Sequence, residues 1–292
     1  MKILLSCFLL CAACATTAQI EKISNADIHR LLYLGDDIYT GAAPEGAKTF
    51  AALAELGVTT VVCVDSARPD VELAAQYGLS YIHIPINYDA VDEHAQLSVK
   101  RMMQENQQDV FYIHCHHGKH RGPAVAAIAL RQRSHCSASR ALQVLETAGT
   151  SSDYPGLWRD VRGWMDSDET DLPELFAVTP VESFAGSMAK LDRNWDRIKL
   201  LYKNDWQVPA SHPDLVVLNE AAQTRDLLTD CAQELPAELI DDADFIKRIE
   251  RAVAHADNFY RALENEKSDA VNLNYKELKS SCVNCHRKYR ND

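Results

Sequence analysis

One stretch, residues 110–123, constrains this chain more than any other part of it. The stretch begins with a short apolar run, reaches His114 and Cys115, and places Arg121 six positions after the cysteine. The apolar, alanine-rich segment that starts at Pro123 predicts a buried helix. A strand, a tight loop and a helix in this order favour an anion site, because the loop amides and the helix N-terminus point at one spot.

Cys115 has the surroundings of a reactive thiol. The following helix N-terminus and the cationic side chains of Lys119 and Arg121 stabilise a thiolate, which is the nucleophilic form of cysteine. Arg121 also offers a planar fork that fits two phosphate oxygens. These residues predict attack of the Cys115 thiolate on a phosphoryl group that Arg121 and the loop amides hold.

The stretch resembles the signature loop of cysteine-dependent phosphatases, in which His-Cys is followed by five residues and Arg. Its second half is most similar to the atypical dual-specificity phosphatases of plants and fungi, which act on inositol pyrophosphates. The resemblance implies a phosphomonoester or an inositol-phosphate-like substrate. Gly122 departs from the family, which has Ser or Thr there to help the thiolate leave, so an inactive anion-binding domain is the alternative. The residues expected to bind phosphate are His116, His117, Gly118, Lys119, His120 and Arg121.

A thiolate mechanism also needs an acid that protonates the leaving oxygen and then acts as the base for water. In the phosphatases that the loop resembles, this acid is an Asp on a loop before the catalytic strand. Asp89 and Asp92 both follow the strand predicted over residues 81–86. We expect Asp89 to be the acid, since it comes first off the strand end, whereas Asp92 fits the N-cap of the next helix.

Four histidines, at positions 114, 116, 117 and 120, also allow a metal interpretation, because zinc sites use His at short spacing. A tight loop around an anion turns its amides inward and its side chains outward. We therefore expect His116, His117 and His120 to form a cationic rim for a polyanionic substrate. His114 is expected to have a structural role near the cysteine.

Strands alternate with helices through the first half of the chain. This order predicts an α/β domain with a parallel sheet over residues 19–165. Cys115 then lies at the carboxyl ends of the strands, where such sheets bind their ligands. Residues 166–180 are acidic and hold two prolines, which is typical of a linker.

A second motif lies near the C-terminus, where Cys282, Cys285 and His286 have the spacing of a c-type haem attachment site. On a helix the three side chains share one face, so two thiols can reach the two vinyl groups and the histidine can supply an axial nitrogen. A zinc site or a thioredoxin-like pair is the alternative, but no second Cys pair or βαβ pattern accompanies the motif. The motif predicts one covalent haem c.

Apolar residues at three-four spacing predict four helices within residues 181–292, and hence an all-α four-helix bundle with a cofactor in its core. This segment resembles the cytochrome c-prime family and its Met-ligated relatives. The resemblance implies that Met188 is the sixth iron ligand, opposite His286. Without Met188 the iron is five-coordinate and open to nitric oxide or carbon monoxide, and His212 and His255 are the other candidate ligands.

Residues 1–18 have the pattern of a secretory signal: Lys2, an apolar run, then small residues up to Ala18. The run is too short to span a membrane. Lipidation of Cys14 is the alternative, and only then is a membrane expected as a partner. We therefore expect a periplasmic protein.

Six cysteines remain after Ala18, and an even number in an exported chain allows disulfides. We expect none, because three of the six have other assignments.

The formal net charge of −12 argues against nucleic acid as a partner. The expected partners are a phosphorylated small molecule or a phosphoprotein, and a periplasmic redox protein for the haem. The sequence thus predicts an exported cysteine-dependent phosphatase fused to a haem c domain for electron transfer or sensing. Two alternatives stay open: an electron carrier or gas sensor with an inactive phosphatase-like domain, and a sulfur transferase in which Cys115 carries a persulfide.

Overall fold

The computed structural model describes residues 19–65, 68–179, 184–213, 215–233, 235–265 and 268–289. The expected signal sequence, residues 1–18, lies outside the described residues.

A six-stranded sheet forms the centre of the N-terminal domain, with the strand order β1-β2-β3-β6-β4-β5. The strands are β1 (Glu21–Lys22), β2 (Leu32–Gly35), β3 (Ile38–Ala42), β4 (Thr60–Cys63), β5 (Ser80–His83) and β6 (Phe111–Cys115). Strands β3, β6, β4 and β5 are parallel to one another, as predicted. Strands β1 and β2 are antiparallel additions at the β3 edge, so the sheet is mixed rather than parallel throughout.

The β2–β3 hairpin was not predicted because its turn lacks the usual signal. Asp36 and Asp37 occupy the turn, and both have positive φ angles of 52° and 59°. Two consecutive positive φ angles are what a tight two-residue hairpin turn requires, and Asn-Gly or Asp-Gly normally supplies them. Two aspartates give a weaker signal, although Asp tolerates this conformation better than most residues.

Helices cover both faces of the sheet. They are α1 (Gly46–Glu55), α2 (Val71–Gln76), α3 (Glu93–Glu105), α4 (Arg121–Ser134), α5 (Ala138–Ala148) and α6 (Pro155–Gly163). Successive residues of a strand point to opposite faces. In β6, Tyr112 packs with α1 and α2 on one face, whereas Phe111 and Ile113 pack with α3 to α6 on the other. All residues from Pro123 to Leu130 are buried, which explains the apolar run after the Cys115 motif.

The segment predicted as a linker, residues 166–180, contains no helix or strand where it is described, up to residue 179. It lies against the N-terminal domain. Arg101 of α3 donates a hydrogen bond to the carbonyl of Leu172 at 3.2 Å. The backbone N–H of His83, at the end of β5, donates to the carbonyl of Phe176 at 2.8 Å. The segment is therefore held along one side of the domain.

Four long helices form the C-terminal helical region: α7 (Phe184–Lys203), α8 (Val217–Gln233), α9 (Ala243–Glu264) and α10 (Ser268–Tyr289). Each helix packs on the next, and Trp195 of α7 stacks on Tyr275 of α10 with ring centroids 5.5 Å apart. The first and last helices thus meet, which encloses an apolar interior. Within the described part of the chain, no helix combines the length and apolarity that crossing a membrane requires.

Candidate active site

Residues 115–121, which we call the Cys115 loop, join the end of β6 to the start of α4. The loop makes its sharpest turn at Gly118, whose φ is +64°. A Cβ atom at this position would lie 2.2 Å from the carbonyl carbon of Gly41 in β3. Both the backbone conformation and the close approach of β3 therefore require glycine. The carbonyl of His116 also accepts a hydrogen bond from the N–H of Ala43, which ties the loop to the sheet edge.

Neighbouring residues fix the orientation of the Arg121 guanidinium. Its Nη1 donates to the carbonyl of Ile86 at 3.3 Å, and its Nη2 lies 3.3 Å from the hydroxyl of Tyr88. The guanidinium also lies 4.3 Å from the centre of the Tyr88 ring, at cation–π distance. Its Nε has no hydrogen-bond partner among the described residues although it is buried. A buried guanidinium with an unused N–H is suited to holding an anion.

Cys115 is the last residue of β6, and its side chain is 2% exposed. It is a free thiol. The N-terminus of α4 follows six residues later, and Arg121 is the first residue of that helix. The structure therefore brings Cys115, the turn at Gly118 and the guanidinium of Arg121 together as the sequence predicted.

The expected cationic rim is corrected by the structure. Burial lowers the pKa of His117 to about 3, an effect to which the charge of Arg225 adds, and burial lowers the pKa of His120 to about 4. Both imidazoles are therefore neutral at pH 7. The side chain of His120 points inward and packs on the ring of Tyr154, with ring centroids 4.4 Å apart. His117 and His120 are covered by the helical region, which they contact through Arg225 and Tyr260.

The other loop side chains have different roles. His116 is exposed and lies against the His117 ring, with centroids 4.4 Å apart. Lys119 forms an ion pair with Glu264 of α9, with Nζ 2.8 Å from Oε1. His114 has a structural contact, as expected, since its Nε2 lies 3.0 Å from the hydroxyl of Tyr81.

Asp89 follows Tyr88 directly, and its side chain is exposed at the carboxyl edge of the sheet. Its backbone carbonyl packs on Gly156 at the start of α6, where a Cβ would lie 1.6 Å from the oxygen. This contact fixes the chain path at Asp89, while its role as the acid stays a prediction. Asp92 is the N-cap of α3, where its carboxylate accepts the N–H of Ala95 at 2.9 Å.

Besides Glu264, the sequence-based prediction missed two adjacent charged residues of the helical region. Asp226 of α8 forms an ion pair with Arg121, with Oδ2 2.7 Å from Nη2. Its neighbour Arg225 is buried, and Nη2 of Arg225 donates to the hydroxyl of Tyr88 at 2.7 Å. The sequence signal was small, because a charged pair on a predicted helix is ordinarily solvent-exposed.

A second site lies inside the helical region, where a cavity of about 470 Å³ opens between the helices. Cys282, Cys285, His286 and Met188 all line it, so the structure brings the predicted haem residues together. Both thiols are free, and burial raises the pKa of Cys282 to about 11. The remaining lining is mostly apolar or aromatic and includes Phe184, Leu191, Trp195, Leu228, Phe245 and Ile249. His255 lies outside this cavity, 3.5 Å from Glu277.

Residues 37–162 match the family model described as "Swiss Army Knife protein, DSP-PTPase phosphatase domain". The N-terminal domain is a phosphatase domain of the dual-specificity type. The predicted hydrolase, a cysteine-dependent phosphatase, is thereby confirmed for this domain. The match ends before the helical region, so haem binding there stays a prediction.

Several solved structures resemble the phosphatase domain. TpbA from P. aeruginosa is 25% identical, with a TM-score of 0.44, over 51% of this chain and 92% of that protein. A second structure of that protein, in complex with pTyr, is 24% identical with a TM-score of 0.43, over 51% and 91% of the two chains. Human DUSP28 is 20% identical, with a TM-score of 0.39, over 49% and 95%. No curated protein matches this chain.

Proposed function

We propose that this chain is an exported phosphatase that hydrolyses phosphomonoesters through Cys115 and carries one haem c in its C-terminal four-helix bundle. The observation that supports the catalytic half is the Cys115 loop. There, a cysteine at a strand end faces a helix N-terminus and a buried arginine with an unused N–H. The substrate is proposed to be a phosphorylated small molecule, including inositol phosphates, or a phosphoprotein.

The proposed reaction has two steps. The Cys115 thiolate attacks phosphorus, an S–P bond forms, and the P–O bond to the leaving group breaks as Asp89 donates its proton to that oxygen. Water then attacks phosphorus, Asp89 takes a proton from it, and the S–P bond breaks to regenerate the thiolate and release phosphate. Arg121 and the loop amides hold the non-bridging oxygens and stabilise the charge that develops on them.

Gly122 has a packing reason in this chain. A Cβ at this position would lie 2.9 Å from the backbone N of Cys115 and 3.1 Å from the carbonyl carbon of His114. The first turn of α4 therefore lies too close to the end of β6 for a side chain. The phosphatases that this loop resembles have a Ser or Thr hydroxyl at the position of Gly122. Without it, the Cys115 thiolate depends on the helix N-terminus and the loop amides for its stabilisation.

The helical region has a donor set that fits haem c. Cys282 and Cys285 would hold the haem through thioether bonds, and His286 and Met188 would bind its iron. When bound, haem supplies one-electron exchange. The apolar lining of the cavity excludes water from a flat, largely apolar group. Covalent haem attachment outside the cytoplasm agrees with the signal pattern of residues 1–18, and a periplasmic redox protein is the proposed partner.

Phosphate release from para-nitrophenyl phosphate tests the catalytic half. The full chain is compared with Cys115→Ser and with Cys136→Ser, which changes a half-buried cysteine outside the Cys115 loop. We expect Cys115→Ser to lose at least about 10³-fold in kcat/KM, because serine is not ionised at neutral pH, while Cys136→Ser keeps it. Turnover by Cys115→Ser would refute the mechanism. Thiocyanate formation from thiosulfate and cyanide, without phosphate release, would favour sulfur transfer.

Covalent haem is tested separately, after export in a host that matures c-type cytochromes. Denatured protein is assayed by mass and by its absorption spectrum. We expect one haem in the unchanged chain and in Cys136→Ser, and none in the double variant Cys282→Ala with Cys285→Ala. Met188→Ala should keep the haem mass but change the absorption bands to those of a five-coordinate iron. A chain without added mass would refute the haem proposal and leave the phosphatase proposal standing.

A further inference from the structure

The helical region covers the Cys115 loop. Four loop side chains each contact a residue of α8 or α9 at 3.5 Å or less. The pairs are His117 with Arg225 (3.0 Å), Lys119 with Glu264 (2.8 Å), His120 with Tyr260 (3.5 Å) and Arg121 with Asp226 (2.7 Å). In this arrangement Cys115 and Arg121 are each only 2% exposed. Neither the predicted nucleophile nor the arginine is open to solvent in this arrangement.

Asp226 is an anion in direct contact with Arg121 in this structure. Its Oδ2 pairs with Nη2 of Arg121, and its Oδ1 lies 3.0 Å and 2.9 Å from Nε and Nη2 of Arg225. Burial raises the pKa of Asp226, but Arg121 and Arg225 lower it by more, so this carboxylate is ionised at pH 7. One carboxylate between two guanidinium groups resembles a bound phosphoryl group in charge and in its oxygen contacts.

The two arginines depend on this carboxylate. Both guanidinium groups contact the hydroxyl of Tyr88, at 3.3 Å from Arg121 and 2.7 Å from Arg225. Two like charges around one buried hydroxyl repel each other unless an anion lies between them. Either Asp226 or the phosphoryl group of a substrate can be that anion. The two therefore compete for Arg121.

We propose that Asp226 is an intramolecular plug that takes the place of the substrate phosphoryl group and holds the phosphatase domain closed. The proposal rests on the phosphatase function of the Cys115 loop. Turnover then requires α8 to move away from the loop, so the helical region restrains the activity of the domain to which it is fused. If Asp226 instead oriented Arg121 for catalysis, its removal would change the activity in the opposite direction.

Asp226→Asn removes the charge of the plug while keeping its shape. We expect kcat/KM for para-nitrophenyl phosphate to rise roughly 5- to 150-fold, the range of typical coupling between two states. Glu264→Gln weakens the second contact, to Lys119, from a part-exposed position, and should raise kcat/KM in the same direction by less. The control is Asp196→Asn on α7, whose side chain is 69% exposed and pairs with Lys199 of its own helix. This control should match the unchanged chain.

A second readout does not depend on catalysis. Iodoacetamide alkylates accessible thiolates, and peptide mass analysis assigns the modification to Cys115 rather than to another cysteine. We expect Cys115 in the full chain to react faster in Asp226→Asn and Glu264→Gln than in Asp196→Asn. Unchanged alkylation and unchanged kcat/KM would overturn the plug. So would a fall in kcat/KM in folded Asp226→Asn, because it would make Asp226 a positioning residue. If no variant had phosphatase activity, the proposed function would fail and alkylation alone would decide the plug.

Discussion

Gly118 provides the sharpest test of how the Cys115 loop is built. Two effects require glycine there, the positive φ angle and the close approach of the Gly41 backbone, and three Gly→Ala changes separate them. Gly163, at the end of α6, has no positive φ, and a Cβ added to it would meet no described atom within 4 Å. Gly149, at the end of α5, has a φ of +76°, and the nearest contact of its Cβ would be the Lys119 side chain at 3.9 Å. Gly118 combines a φ of +64° with the 2.2 Å approach of the Gly41 backbone.

The expected free energies of unfolding follow from these contacts. Gly163→Ala should be neutral or stabilising by up to about 1 kcal/mol, because alanine restricts the unfolded chain. Gly149→Ala should cost about 1–2 kcal/mol, because a residue with a Cβ is strained in the left-handed conformation. Gly118→Ala should cost about 2–5 kcal/mol, because overlap with a backbone that cannot move aside adds about 1–3 kcal/mol.

Urea-induced unfolding followed by circular dichroism gives the three free energies. The same proteins are assayed with para-nitrophenyl phosphate, and we expect only Gly118→Ala to lose kcat/KM, by about 10²-fold or more, since the loop must shift away from β3. If Gly118→Ala were no less stable than Gly149→Ala and fully active, the close approach of β3 would not constrain the loop, and the reasoning would fail.

Three further results are expected. Gly122→Ser should lower kcat/KM and stability together rather than speed thiolate release, since its Cβ would lie 2.9 Å from the backbone N of Cys115; paired activity and urea measurements check this. Tyr88→Phe should lower the free energy of unfolding by about 1–3 kcal/mol, because two buried guanidinium groups lose a shared partner; an unchanged urea midpoint would contradict it. The pKa of His120 is about 4 in the folded state, below its unfolded value of about 6.5. As the pH falls below 6.5, the unfolded chain binds a proton at His120 before the folded chain does. The free energy of unfolding is therefore full above pH 6.5 and decreases as the pH falls towards 4. Urea unfolding between pH 7 and 4 should therefore show a shallower decline in His120→Gln than in His94→Gln, which changes an exposed histidine.

The local parts of the fold could be predicted from the sequence, because their signals are local. The apolar run before Cys115 predicted the central strand β6, and the helical spacing of apolar residues predicted α7 to α10. The two-residue strand β1 and the Asp36–Asp37 turn carry no comparable pattern, so the antiparallel edge was missed. Strand pairing at that edge is decided by tertiary contacts rather than by local propensity.

The candidate site also has a part that local sequence predicted and a part that it did not. Cys115, Gly118 and Arg121 lie within seven residues, so their spacing alone indicated an anion loop. The contacts of Asp226 and Glu264 join that loop to residues more than 100 positions away, and no local pattern specifies which helix face packs on which loop. The histidines were expected to be charged because the loop was considered without its cover. Burial reverses that expectation for His117 and His120.

Helix α8 belongs to both sites at once. Thr224 and Leu228 line the cavity that holds the predicted haem residues, while Arg225 and Asp226 contact the side chains around the Cys115 loop. Residues one apart on a helix lie about 100° from each other, so the two faces are separate although they belong to one continuous helix. Filling the cavity and opening the plug therefore act on the same element. Coupling between the two sites would require a two-state element that both sites bias, and α8 is the helix that contacts both of them.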